Sequence, residues 1–134
     1  MLHSLLQAYL DEIYAALHNL SAAHFECYQE KALSSKRLNL KIRIRFTDES
    51  LLEISEAVVV QGRDIETLGY RYHLQDSRQQ LVFRYDDTPH FPNLATFPHH
   101  KHLPDDVLAA RKPELLEVIA ETVSFLQRGK KLSE

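Results

Sequence analysis

The sequence predicts a single α+β domain over residues 1–134: an N-terminal helix, a four-stranded antiparallel meander sheet, a loop rich in histidine and proline, and a C-terminal helix. Its 134 residues, 44% of them hydrophobic and 26% charged, have the size and composition of one globular domain. Apolar residues spaced three and four positions apart near both ends indicate helices, whereas strict alternation between residues 37 and 86 indicates strands.

The N-terminal helix is expected to extend from residue 2 to about residue 33. Its apolar stripe consists of Leu6, Leu10, Ile13, Leu17 and Leu20. His24, Cys27 and Lys31 continue the same line, so the stripe weakens towards the C-terminal end. A weak stripe with near-heptad spacing permits a homodimer but does not require one.

Four strands are expected at residues 37–46, 51–60, 68–75 and 80–86. In the first, RLNLKIRIRF, every second residue is apolar and the residues between them are polar, which is typical of a half-buried strand. We expect the helices to cover one face of this sheet. The other face is expected to be open and to carry Arg43, Arg45, Arg71, His73, Arg84 and Asp86.

The segment DTPHFPNLATFPHHKHLP, residues 87–104, holds four of the five prolines and four of the eight histidines. Its prolines argue against a regular helix or a central strand, so a rigid loop is expected. Such a long loop in a compact domain is usually functional or disordered. A helical turn is expected near residues 105–110, and the last helix is expected from Pro113 to about Gly129 with a stripe of Leu116, Ile119, Val123 and Leu126.

Composition excludes several classes of protein. The formal charge of -3 disfavours binding of nucleic acid by bulk electrostatics, although a local basic face remains compatible with it. One cysteine allows neither an internal disulfide nor a zinc ribbon, and three glycines provide no Gly-rich phosphate loop. The N-terminus lacks the basic region of a signal peptide, and no apolar run suits a membrane span. A cytoplasmic protein without membrane contact is expected.

The candidate chemistry is phosphodiester cleavage by clustered imidazoles beside guanidinium groups. A neutral imidazole can take the proton of a 2′-hydroxyl, and an imidazolium can protonate the leaving oxygen. Because RNA supplies its own nucleophile, this chemistry needs no metal and no other cofactor. His100 and His102 are the first choices for the acid/base pair, with His99, His90 and His73 as alternates. In an extended backbone His100 and His102 share a side, whereas His99 faces away.

Phosphate is expected to bind Arg84, Arg43 and Lys101, because a guanidinium fork matches two phosphate oxygens. Asp86 lies two residues from Arg84 and is expected to orient the loop through an ion pair with it. Each feature also has a structural interpretation. Arg43 can pair with Glu53 on the neighbouring strand, and the loop imidazoles can hydrogen-bond backbone carbonyls to hold a proline-rich turn.

The segments YRYHLQD and LVFRYDDTPHFPNLATFPHHKHLP resemble the central motif of the TumE-type toxins of bacterial and archaeal type II toxin–antitoxin modules. The resemblance covers residues 70–104, and Pro98–His102, PHHKH, is its most specific part. It implies a cytoplasmic, growth-inhibiting toxin neutralised by a cognate antitoxin that has a helix-turn-helix DNA-binding domain. RNA is the implied target, by analogy with other such toxins.

The leading hypothesis is therefore a toxin that acts as a metal-independent ribonuclease. One alternative is a non-enzymatic toxin that occupies a nucleic-acid or protein target. The other is a metal-dependent hydrolase, in which the His-x-His pair at residues 100–102 binds zinc together with His90 or Asp86.

Overall fold

The computed structural model describes residues 1–133, and in them two helices pack on one antiparallel sheet. Helix α1 (Ser4–His18) precedes the sheet and helix α2 (Leu115–Ser133) follows it. The strands are β1 (Ala23–Ser34), β2 (Arg37–Phe46), β3 (Leu51–Gln61), β4 (Asp64–Gln75), β5 (Leu81–Asp86), β6 (His100–Leu103) and β7 (Asp106–Ala109). Neighbours in sequence are neighbours in the sheet. The α+β class is confirmed, but the expected four strands are wrong, because the sheet of the described residues has seven.

The first additional strand lies where the N-terminal helix was expected to continue. Helix α1 ends at His18, and residues 23–34 form edge strand β1 against β2. Ala22 has a φ of 55°, which no right-handed helix accommodates. Most side chains of β1 are exposed, so the strand gains its backbone hydrogen bonds from β2 without burying an apolar face. An exposed edge strand lacks the alternating apolar pattern, and this explains the wrong prediction for residues 19–33.

The other two additional strands lie in and after the histidine segment. Strands β6 and β7 form a hairpin, so the loop is shorter than expected and the helical turn near residues 105–110 is wrong. Each strand has only four residues, too few for a period to be recognised in the sequence. Pro104 lies in the turn between them, where no ladder hydrogen bond is lost.

The two helices cover the same sheet face and enclose the core. The stripe of α1 is confirmed, since Leu6, Leu10, Ile13 and Leu17 are buried. Helix α2 begins at Leu115 and continues to Ser133, so its expected bounds are wrong at both ends. Its buried positions include Leu115 and Val118, whereas Leu116 is 45% exposed, because the helix presents a slightly rotated face to the sheet. Since the stripe of α1 faces the sheet, it offers no support for the homodimer that the sequence permits.

One acidic side chain is buried in the core on the helix side. Glu56 of β3 is 3% exposed and accepts hydrogen bonds from the hydroxyl groups of Tyr9 and Tyr72. Burial, together with the Glu56 carboxylate, raises the pKa of both tyrosines. The carboxylate thus ties α1 to two central strands through hydrogen bonds that water cannot replace.

We predict that Glu56→Ala lowers the free energy of unfolding by about 3 kcal/mol, because it leaves two hydroxyl groups without their acceptor. Urea unfolding monitored by circular dichroism measures the loss. Glu53→Ala, on the other face of the same strand, is the matched control and should change stability by less than roughly 0.5 kcal/mol. Equal losses in the two variants would contradict the structural role of Glu56.

Candidate active site

Polar side chains of β5 and β6 meet on the sheet face that the helices leave uncovered. Asp86 is opposite His100 and Arg84 is opposite His102 in the antiparallel register. Because side chains alternate along a strand, these four residues share one face. The intervening residue of β6, Lys101, lies on the other face, towards α2. Strand pairing therefore assembles the site from two short segments.

Three of these residues bring their polar atoms together, and we call Asp86, His100 and His102 the His-Asp cluster. Nε2 of His100 is 2.8 Å from Oδ1 of Asp86 and 3.0 Å from Nε2 of His102. Nε2 of His102 is 3.6 Å from Oδ2 of Asp86. The side chains of His100 and Asp86 are 1% and 8% exposed, and that of His102 is 17% exposed. Solvent thus reaches the cluster from the side of His102.

Hydrogen bonds around the cluster fix its orientation. Nδ1 of His100 is 2.9 Å from the carbonyl oxygen of Pro98, and because a carbonyl only accepts, this nitrogen holds a proton. Asp86 accepts hydrogen bonds from the backbone N–H of Thr88 at 3.1 Å and from Nε of Arg84 at 3.2 Å. The Phe91 ring packs edge-on against both imidazoles, with centroid distances of 5.0 Å to His100 and 5.8 Å to His102.

The environment keeps two imidazoles of this face neutral. Burial and the charge of Arg84 lower the pKa of His102, and the opposing effect of Asp86 is smaller. Burial also lowers the pKa of His73, and the charges of Arg71 and Arg84 add to this effect. His73 is opposite Arg84 in the pairing of β4 with β5. Both rings therefore have a lone pair available at neutral pH.

Next to the cluster the uncovered face is concave over β2, β3 and β4. Two adjoining cavities of about 470 and 540 Å³ share Lys41, Ser55 and Arg71 in their walls, and we call them together the sheet groove. The sheet groove has room because Ser55, Ala57 and Gly69 have small side chains or none. His73 lines the end of the sheet groove that is nearer to Arg84.

The structure brings together four of the residues expected in the site, namely Asp86, His100, His102 and Arg84, with His73 beside them. The expected ion pair of Arg84 with Asp86 is confirmed. His100 and His102 share a side, as predicted for extended backbone.

Other expected site residues lie elsewhere. His99 is on the helix side, where its Nδ1 is 3.0 Å from the hydroxyl of Tyr70. His90 is exposed on the loop, next to Phe91. Arg43 pairs with Glu26 at 2.8 Å and with Glu53 at 3.7 Å, which confirms the structural interpretation given to it.

Lys101 is also separated from the histidines. Its Nζ is 2.7 Å from Oε2 of Glu121 on α2 and lies 4.8 Å from the ring centroid of Tyr85. Burial by itself lowers the pKa of Lys101, but its hydrogen bonds with Glu121 and Tyr85 outweigh this and raise it. The ammonium group therefore stabilises the contact of β6 with α2.

Sequence reasoning missed several parts of the site. The Pro98 carbonyl and the Thr88 amide are backbone groups, which no side-chain pattern reveals. Phe91 covers the cluster, and a single aromatic residue in a loop gives no sign of this in the sequence. The sequence predicted an open face that carries Arg71 and His73, but it did not show that this face forms a groove.

The donor set of the cluster suits either a proton or a metal ion. One ligand atom from each of its three residues can be chosen so that all lie within 4.8 Å of one another. Two imidazole nitrogens and a carboxylate form a common ligand set for divalent transition metals. The same groups can transfer or hold a proton.

Comparison with known proteins identifies the family. A family model described as Toxin TumE matches residues 11–128, a range that includes all seven strands and the His-Asp cluster. No curated protein sequence and no solved structure gives a significant match. Neither helix of residues 1–133 has both the length and the apolar character that crossing a membrane requires.

We predict energetic coupling between Lys101 and Glu121. In a double-mutant cycle with Lys101→Met and Glu121→Gln, unfolding free energies should give a coupling of about 1 kcal/mol, because the pair is only partly exposed. Arg43→Met with Glu53→Gln is the control cycle and should give a smaller value, since that pair is longer and more exposed. A coupling near zero for the first pair would show that Lys101 does not fasten β6 to α2.

Proposed function

The chain belongs to the TumE toxin family, and from this premise we propose that the toxin cleaves RNA at the His-Asp cluster. The observation that supports this proposal best is the row of His73, Arg84 and His102 across three strands of the uncovered face. The row combines neutral imidazoles, which can act as a base, with a guanidinium group that can stabilise the charge on a phosphate beside a groove.

RNA is proposed to bind along the sheet groove. The groove is lined by three basic residues, Lys31, Lys41 and Arg71. Among the described residues, Glu53 is the only acidic one whose side chain lines the groove from the uncovered face. This local excess of positive charge attracts phosphate although the formal charge of the whole chain is -3. Binding should therefore depend on these few side chains rather than on bulk electrostatics.

Within the site we assign proton transfer to His102. Its ring is neutral and partly exposed, so its lone pair can take the proton of a 2′-hydroxyl. His100 is too deeply buried to touch substrate, and it instead positions His102 through the 3.0 Å contact of their Nε2 atoms. Asp86 holds both rings in place.

Arg84 is proposed to bind the reacting phosphate. It uses Nε to contact Asp86, and a guanidinium has further N–H groups that can bind phosphate oxygens. His73, on the other side of Arg84, is also neutral and is proposed to hydrogen-bond the reacting phosphate, while the leaving oxygen takes its proton from solvent. This assignment gives His100 and Asp86 positioning roles and leaves out His99, His90, Lys101 and Arg43, whose contacts lie elsewhere.

Family membership implies an antitoxin partner. We propose that this partner is a cognate antitoxin with a helix-turn-helix DNA-binding domain, as in a type II module. We also propose that the toxin acts in the cytoplasm, because RNA is located there.

We predict that His102→Ala abolishes toxicity and lowers the RNA-cleavage rate of the purified toxin by roughly 10²–10⁴-fold, the usual contribution of acid/base catalysis. Growth after induction and the decay of total RNA are the measurements. Circular dichroism must show that the variant is folded, which is expected because His102 is partly exposed.

The matched control is His18→Ala combined with His24→Ala, which removes two exposed imidazoles far from the cluster in sequence and leaves activity unchanged. A folded His102→Ala variant that still arrests growth would favour a toxin that acts by binding. Wild-type toxin that leaves RNA intact, at concentrations that arrest growth, would overturn the proposal.

A further inference from the structure

We propose that the His-Asp cluster is a binding site for a divalent transition-metal ion of the Zn²⁺ type. Asp86, His100 and His102 provide one carboxylate and two imidazoles whose ligand atoms face one point. What the ion does there rests on the proposed ribonuclease function, but its binding does not. With an ion bound, Nε2 of His102 would be a ligand, and a water on the ion would serve as the base in place of this ring.

The spacing of the ligand atoms fits a tetrahedral ion. Zn–N and Zn–O bonds of about 2.0–2.1 Å place neighbouring ligand atoms roughly 3.3 Å apart. In the His-Asp cluster the three separations are 2.8, 3.0 and 3.6 Å. Side-chain shifts of a few tenths of an ångström would therefore complete the coordination.

The groups around the ligands orient them as the outer partners of a metal site do. The Nδ1–H group of His100 donates a hydrogen bond to the Pro98 carbonyl, which directs Nε2 towards Asp86 and His102. The Thr88 amide and Arg84 bind the Asp86 carboxylate. Phe91 packs edge-on against both imidazoles.

A divalent ion would satisfy the three facing ligand atoms at once. Nδ1 of His100 faces the Pro98 carbonyl, so Nε2 is the ring nitrogen that faces Asp86, at 2.8 Å, and His102, at 3.0 Å. A proton on Nε2 and a bound ion are alternative partners for the Asp86 carboxylate.

The ligand types select the class of ion. Imidazole nitrogen with carboxylate oxygen suits Zn²⁺ and its neighbours in the first transition row, whereas Mg²⁺ and Ca²⁺ prefer oxygen ligands. Three protein ligands leave a fourth position for water or a phosphate oxygen, as in catalytic zinc sites. This fourth coordination position would face solvent on the partly exposed side of His102, next to Arg84. Because Arg84 is positively charged and contacts Asp86, we expect micromolar rather than nanomolar affinity.

The experiment is isothermal titration of ZnCl₂ into untagged, chelator-treated toxin, with MgCl₂ as the comparison ion. We expect one Zn²⁺ per chain and no comparable binding of Mg²⁺. His102→Ala and Asp86→Asn should each weaken Zn²⁺ binding by more than roughly 100-fold, since loss of an outer partner alone costs about 10–100-fold. The His18→Ala and His24→Ala double variant controls for non-specific binding by surface imidazoles and should bind like wild type.

Binding of no ion by wild type, or equal loss of binding in the control and in His102→Ala, would overturn the metal site. If Asp86→Asn does not fold, His102→Ala still decides the question, because its side chain is partly exposed. RNA cleavage is then measured with and without chelator. Cleavage without an ion would refute a catalytic role of the ion and leave the ribonuclease intact, whereas an ion-loaded toxin that does not cleave RNA would refute the ribonuclease. The titration alone decides whether the metal site exists.

Discussion

The pairing of β5 with β6 is the constraint on which the candidate site depends. It sets Asp86 opposite His100 and Arg84 opposite His102. A shift of one residue would turn the histidines of β6 towards α2 and Lys101 towards the uncovered face. The contact of Lys101 with Glu121 fixes this register, because it holds the alternate side of β6 against the helix. Packing on one face of the sheet thus determines the chemistry on the other.

One face of the sheet forms the core of the protein, and the other carries the candidate active site. On the helix side, apolar side chains enclose a carboxylate, Glu56, that ties helix and strands together. On the uncovered side, small residues in β3 and β4 open the sheet groove, and basic residues line it. The loop before β6 completes the site, because Thr88, Phe91 and Pro98 all contact the His-Asp cluster. A rigid sheet therefore holds the reactive groups while the loop shields them.

The sequence was sufficient to predict those helices and strands whose apolar residues recur at a regular spacing. Alternation from Arg37 to Phe46 predicted β2 and its polar face, and the spacing of Leu6 to Leu17 predicted the buried side of α1. Strand β1 was missed because it pairs with β2 through backbone hydrogen bonds and buries no apolar face. Strand β6 was missed because four residues show no clear period. The shared side of His100 and His102 followed from extended backbone alone. Their approach to Asp86 depended on strand register, which a single sequence does not specify.

The central claim is that the ring nitrogens of His100 and His102 and the carboxylate of Asp86 face a single point. The most direct measurement is nitrogen-15 NMR of the histidine rings before and after addition of one equivalent of Zn²⁺. The account predicts a proton on Nδ1 of His100 and shifts of Nε2 in His100 and His102, with His18 and His24 unchanged. A proton found only on Nε2 of His100, or equal shifts of all histidine rings, would contradict it.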